Sequence, residues 1–208
     1  MQTTRKRLIT WTFAAVWVAT ILVTLRPLLS YESAPGRIGT VPSTWPATSK
    51  LKFSSDQRTL LVFAHPHCPC TRATIGELAE VMAQVQGKVR AYVVFLTPEN
   101  SGRDWIDTGL EKSAAQIPGV TVIPDFNGAE AKLFGAETSG HALLFDSGGR
   151  LLFSGGITAS RGHSGGNAGE SAVVALIKNR AADQNRTFVF GCSLLDPTNN
   201  GKDRKCRN

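Results

Sequence analysis

The pattern of apolar positions divides the chain into a membrane-length run, an unpatterned stretch and a folded unit. Leu8 to Leu25 (LITWTFAAVWVATILVTL) is an uncharged run of 18 residues, near the lower limit for crossing a bilayer as a helix. It is apolar on all sides, which a buried helix of a soluble domain with this basic flank does not explain. Residues 30–58 hold Pro35, Gly36, Gly39, Pro42 and Pro46 with no sustained period, the pattern of a linker.

From Thr59 the periodicity is that of a folded domain. Thr59–Ala64 is a short apolar run suited to a buried strand. Beyond Pro69, the residues Ile75, Leu78, Ala79, Met82 and Val85 recur at three- and four-residue steps, which predicts an amphipathic helix stopping at Gly87. Val89–Leu96 predicts a second strand, Trp105–Ile117 a helix, Val120–Ile123 a third strand and Ala129–Phe134 a helical turn or two. His141–Asp146 and Leu151–Ser154, joined by Ser147-Gly-Gly-Arg150, predict a hairpin, and Ser171–Ala182 a closing helix. This order predicts an α/β fold, a mixed sheet covered by helices. The residues after Arg186 read as a loosely held tail.

Charge changes the picture mainly by where it lies. The net charge of +7 resides at the two ends: Arg5, Lys6, Arg7 and Arg26 near the start, and Lys202, Asp203, Arg204, Lys205 and Arg207 in the tail. Between Pro27 and Thr198 there are 15 basic and 15 acidic residues, so the domain offers no field for phosphates, and no nucleic-acid partner is expected. Arg5-Lys6-Arg7 before the apolar run predicts that residues 1–7 stay in the cytoplasm and the rest lies outside. A cleaved secretory signal is the competing reading, but Ala34 has Glu32 at its minus-three position and Pro35 after it, a poor cleavage site.

Four cysteines, Cys68, Cys70, Cys192 and Cys206, then face a compartment where disulfides persist. Cys68 and Cys70 are separated only by Pro69, at the junction of a buried strand and an amphipathic helix. Pro69 suits the first helical position, so Cys68 is expected at the N-cap and Cys70 inside the first turn. Unpaired N–H groups there favour a thiolate, and His65 and His67, if protonated, would favour it further. Cys68 is expected to be the more acidic and more exposed, attacking thiol, and Cys70 the resolving one. An inert buried pair is the competing structural reading.

The segment Phe63-Ala-His-Pro-His-Cys-Pro-Cys-Thr-Arg72, with the element order around it, resembles the thioredoxin-like superfamily over residues 50–182. It is most similar to membrane-tethered periplasmic thiol-disulfide proteins of the TlpA and ResA type, with a further resemblance to the RedB group. The resemblance implies a three-layer α/β/α fold behind a single N-terminal transmembrane helix. It implies catalytic roles for Cys68, Cys70 and His67, no cofactor, thiol or disulfide protein partners, and a place in a bacterial inner membrane with the domain in the periplasm. The expected organisation is a cytoplasmic end (1–7), an anchor (8–25), a linker (26–50), the domain (51–182) and a C-terminal tail (183–208).

Two departures open alternatives. The family motif has two residues between its cysteines; in another register Cys70 matches the second, His67 replaces the first and Cys68 is extra. The family also carries a cis-proline before the strand facing the motif, whereas the corresponding place near Thr138-Ser-Gly-His141 has none. His141 is able to enter that room, and with Cys68 and Cys70 would form a Cu(I) site, similar to copper-delivery proteins of the Sco type. A redox-inactive interaction module is a third reading. The Gly-rich segment Gly155–Gly169 lacks phosphate-loop spacing; its Arg161, His163 and Asn167 either line the site or are solvated. Cys192 either joins the redox centre or pairs with Cys206, and Asn185-Arg-Thr matches a glycosylation sequon.

Overall fold

The computed structural model describes residues 2–99, 101, 105 and 107–194. The described chain forms two compact units, one up to Ala34 and one from Pro35 onward. The first is a helix, α1 (Gln2–Ser33), whose Ile9–Ser33 portion is long and apolar enough to cross a membrane. Trp11, Phe13, Trp17 and Val23 are all exposed on it. The apolar helix thus runs past the expected end at Leu25, through Arg26 and Pro27, to Ser33.

In the second unit, β1 (Arg58–Ala64) leads into α2 (Pro69–Val85), followed by β2 (Val89–Thr97), α3 (Gly109–Ala115) and β3 (Val120–Phe126). Then come α4 (Ala129–Leu133), the hairpin β4 (His141–Phe145) and β5 (Leu151–Gly156), and α5 (Ala168–Ile177). Among the described residues the sheet has the order β3-β2-β1-β4-β5. β1, β2 and β3 run parallel, while β4 is antiparallel to β1 and to β5. β1 is central, so both of its faces must be apolar. Leu60, Val62 and Ala64 join Ala142 and Leu144 in a core shared with α2, α3 and α5. Leu61 and Phe63 join Leu143 and Phe145 in a second core on the opposite face, with α4.

The structure shortens α3, starts α5 three residues early, at Ala168, and carries β3 on to Phe126. It also departs from the expected linker. Residues 35–57 pack on the domain, with Trp45 seated among Phe53, Phe134 and Phe145. Backbone bonds from Trp45 N to Gly149 O (2.7 Å) and from Leu151 N to Ser43 O (2.9 Å) hold it there. A segment that covers a core from the edge needs a few aromatic anchors and no period, so its pattern looks like that of a linker. The residues after Arg186 differ likewise: Gly36 N donates to Val189 O (2.7 Å) and Leu194 N to Glu137 O (2.8 Å), so the segment is pinned up to Leu194. Cys206 lies outside the described residues.

Candidate thiol site

The site is built where β1 ends and α2 begins. The chain turns at His65–Cys68, closed by Cys68 N donating to His65 O (3.2 Å) and by Thr71 N donating to Cys68 O (3.0 Å). Cys68 is the N-cap, in an extended conformation (φ −85°, ψ 120°), and Pro69 takes the first helical position, where its missing N–H costs nothing. Three polar groups brace the turn. His65 N donates to Ser139 Oγ (2.9 Å), Thr71 Oγ1 donates to His65 O (3.1 Å), and the Thr71 and Ser139 hydroxyls lie 2.9 Å apart. The sequence reading missed Thr71 and Ser139. The available signal was position: one follows Cys70 directly, the other stands where the resembled family places its proline. No cis peptide bond occurs among the described residues, and Gly140 N donates to Phe63 O (2.7 Å) instead.

Cys68 is fully buried, whereas Cys70 and Cys192 are partly exposed, and none of the three is in a disulfide. The expected exposure of Cys68 and Cys70 is therefore reversed, and Cys192 lies against the buried sulfur. Cys192 N donates to Cys68 Sγ at 3.4 Å across 124 residues of sequence. The Cys68 thiol is driven far below its ordinary value, first by the Cys192 thiol and then by the Cys70 thiol, both donating to its thiolate; these outweigh burial, and the N–H groups of Cys192 and Cys70 add to them. Cys70 is pushed strongly upward, first because its proton is held on the Cys68 thiolate, then by burial, with Arg161 and the Gly162 N–H acting the other way.

His67 is exposed at the rim, its ring edge-on to Trp105 (centroids 4.6 Å, 70°), and its N–H donates to His65 Nδ1 (3.1 Å). Arg161, in the Gly-rich segment, reaches the site by donating to Gly191 O. Asn167 instead caps α5 through Glu170 N (2.9 Å) and meets Glu77 of α2 (3.3 Å), which tethers the Gly-rich segment to that helix.

His141 is not brought to the thiols. It opposes Phe63 across the β1–β4 ladder, so it shares the sheet face of Phe63 and Leu143, while α2 covers the other. Fully buried, it bonds Ser154 through Nε2 (2.9 Å), and burial lowers its pKa to about 4, leaving it neutral. Among the described residues no group of three or more His, Cys, Asp or Glu is arranged to hold a metal ion. The expected Cu(I) set of Cys68, Cys70 and His141 does not fit this arrangement, for the reason of strand parity.

A central parallel strand running into a helix capped by Cys68, beside an antiparallel hairpin that supplies the facing turn, decides the architecture. The fold is thioredoxin-like. No protein-family model matches the chain, and no curated protein matches it significantly. Among solved structures, a hypothetical protein from Sinorhizobium meliloti superposes with a TM-score of 0.54 at 18% identity, covering 79% of this chain and 97% of that one. An uncharacterized conserved protein from Geobacillus kaustophilus gives a TM-score of 0.54 at 18% identity, covering 80% and 95%. A thioredoxin-like protein in its oxidized form is more distant, with a TM-score of 0.45 at 17% identity, covering 73% and 98%. In this thioredoxin-like frame Cys68 holds the helix-capping place, and Cys192 lies against it, bonded to Ser139 in the turn before β4.

Proposed function

We propose that the protein is a membrane-anchored thiol-disulfide oxidoreductase whose domain faces a bacterial periplasm. The observation that carries this reading is the Cys68 sulfur, buried at a helix N-cap and receiving the Cys192 N–H with two further thiols against it. A thiolate so stabilised is a good leaving group, and low leaving-group pKa speeds thiol-disulfide exchange. When Cys68 is in a disulfide, an outside thiolate attacks the more exposed partner sulfur, and Cys68 departs as the held thiolate. The reverse step has Cys68 attack a mixed disulfide carried on that partner sulfur. His67 and Trp105, at the rim, form the surface on which a client thiol docks. Attack by Cys68 directly on an outside disulfide, as its N-cap place alone suggested, conflicts with its burial.

The anchor reading is supported by the apolar span Ile9–Ser33 and by Arg5-Lys6-Arg7 before it, which orients the start of the chain inward. The test of the activity is a redox titration of the full-length chain in detergent, in glutathione buffers, read by alkylation of remaining thiols. A two-electron oxidation between about −120 and −300 mV is expected, lost in Cys68→Ser. Thiols that stay reduced throughout would instead mark a redox-inactive interaction module.

A further inference from the structure

Cys70 has the motif, but Cys192 has the better approach to Cys68. Cys70 lies one position inside the helix that Cys68 caps, and its thiol reaches the Cys68 sulfur as a hydrogen-bond donor. Here Pro69 fixes the backbone between them, and the Thr71 N to Cys68 O bond closes the turn. A Cys68–Cys70 disulfide would have to close across that turn with a single residue between the cysteines, a tight ring that stores strain. Cys192 meets the same sulfur from outside the helix, with its N–H at 3.4 Å and its thiol in contact.

The segment carrying Cys192 is built to stay there. Ser139 N donates to Cys192 O (2.8 Å), and Thr138 bridges to Ser193. Leu194 N donates to Glu137 O (2.8 Å), and Arg161 donates to Gly191 O. Gly191 passes so near the Ser139 carbonyl that a Cβ would collide with it, so only glycine allows this approach. The backbone is therefore held against the turn on both sides of Cys192, while the thiol itself is partly exposed.

We infer that Cys192, not Cys70, is the sulfur that forms the redox disulfide with Cys68 and that carries the client in the mixed disulfide. The inference rests on the thiol-disulfide reading above and names its second thiol. With glutathione disulfide as substrate, the Cys192 sulfur attacks one glutathione sulfur, the glutathione S–S bond breaks and one glutathione leaves. The Cys68 thiolate then attacks the Cys192 sulfur, and the second glutathione leaves. One disulfide is reduced by two electrons, two protein thiols are oxidised to one disulfide, and their two protons end on the two glutathione thiols. Cys70 remains a hydrogen-bond donor to the Cys68 thiolate.

The experiment uses the full-length protein in detergent micelles, oxidised with glutathione disulfide, alkylated, digested without reduction and mapped by mass spectrometry. The expected product is a peptide pair joined through Cys68 and Cys192, in the wild type and equally in Cys70→Ser. In Cys192→Ser and Cys192→Ala, which both keep the backbone N–H, the Cys68 disulfide should be lost. Cys68→Ser should accumulate glutathione on Cys192. A Cys68–Cys70 disulfide that survives in Cys192→Ser, or a Cys192–Cys206 disulfide in the wild type, would overturn the inference and leave the oxidoreductase reading standing. Absence of any disulfide at Cys68 in the wild type would overturn both. Mapping of the wild type decides the matter even where a variant does not fold.

Discussion

Cys70 and Cys192 flank one sulfur from two sides, and the chain holds them in different ways. Cys70 is placed by two residues of helix: its position relative to Cys68 follows from Pro69 and the first turn of α2, and it changes only if that turn unwinds. Cys192 arrives across 124 residues on an extended segment, placed by bonds to Ser139, Glu137 and Arg161. The local partner is fixed in direction by the helix, while the distant one is fixed in place by its backbone, with its thiol turned toward Cys68. A short motif therefore marks where the chemistry is without settling which pair of sulfurs performs it.

The sharpest break in this comparison is Cys68→Ser, which removes the shared sulfur. Exchange with glutathione disulfide should no longer give an intramolecular disulfide through either neighbour, read by the mass shift after alkylation. The next effect is expected from Gly191→Ala, which forces the segment off the Ser139 carbonyl. Losing the Cys192 contacts should raise the apparent pKa of Cys68 by about one unit or more, equivalent to ~1.4 kcal/mol per unit, measured by the pH dependence of alkylation. A Cys70→Ser variant measured in parallel should move Cys68 less, since the Cys192 thiol is the larger influence on it. An equal or larger shift in Cys70→Ser would break the ranking.

Ser139→Ala acts on both sides at once, because Ser139 accepts from His65 N in the turn while its own N–H holds Cys192 O. The hydroxyl alone is lost, leaving the His65 N–H buried without that acceptor, at a cost of about 1–3 kcal/mol in stability. Denaturant unfolding should show that loss, with the Cys192 side of the site retained.

The smallest effect on the thiols is expected at His141, close in sequence to Ser139 but on the other face of the sheet. Burial holds its pKa at about 4 against 6.5 in the unfolded chain. Between those values the unfolded state takes up a proton that the folded state refuses, so stability falls as pH drops from about 6.5 towards 4 and levels off below that. The total is of order 3 kcal/mol. His141→Gln should flatten this pH dependence of unfolding while leaving the alkylation profile of Cys68, and any Cu(I) uptake by the thiols, unchanged.

Much of this was legible from residue order alone. The runs around β1 and β2, the helical steps of Ile75, Leu78, Met82 and Val85, and the hairpin at Ser147–Arg150 are local patterns. Each element declares itself within a dozen residues through burial on one face or two. Cys68-Pro69-Cys70 at a strand-to-helix junction likewise needs only local propensity to become a capped helix start, and the apolar run near the N-terminus needs only length. What the tertiary structure decided is which groups reach the Cys68 sulfur. Burial of an N-cap depends on what packs over it, and the segment that brings Cys192 to it carries no periodicity to announce its place. The face to which His141 points follows from strand parity only once it is known which face α2 covers. Contacts between residues far apart in the chain are set by the summed packing of two cores and a few backbone bonds, and no short stretch of sequence contains that sum.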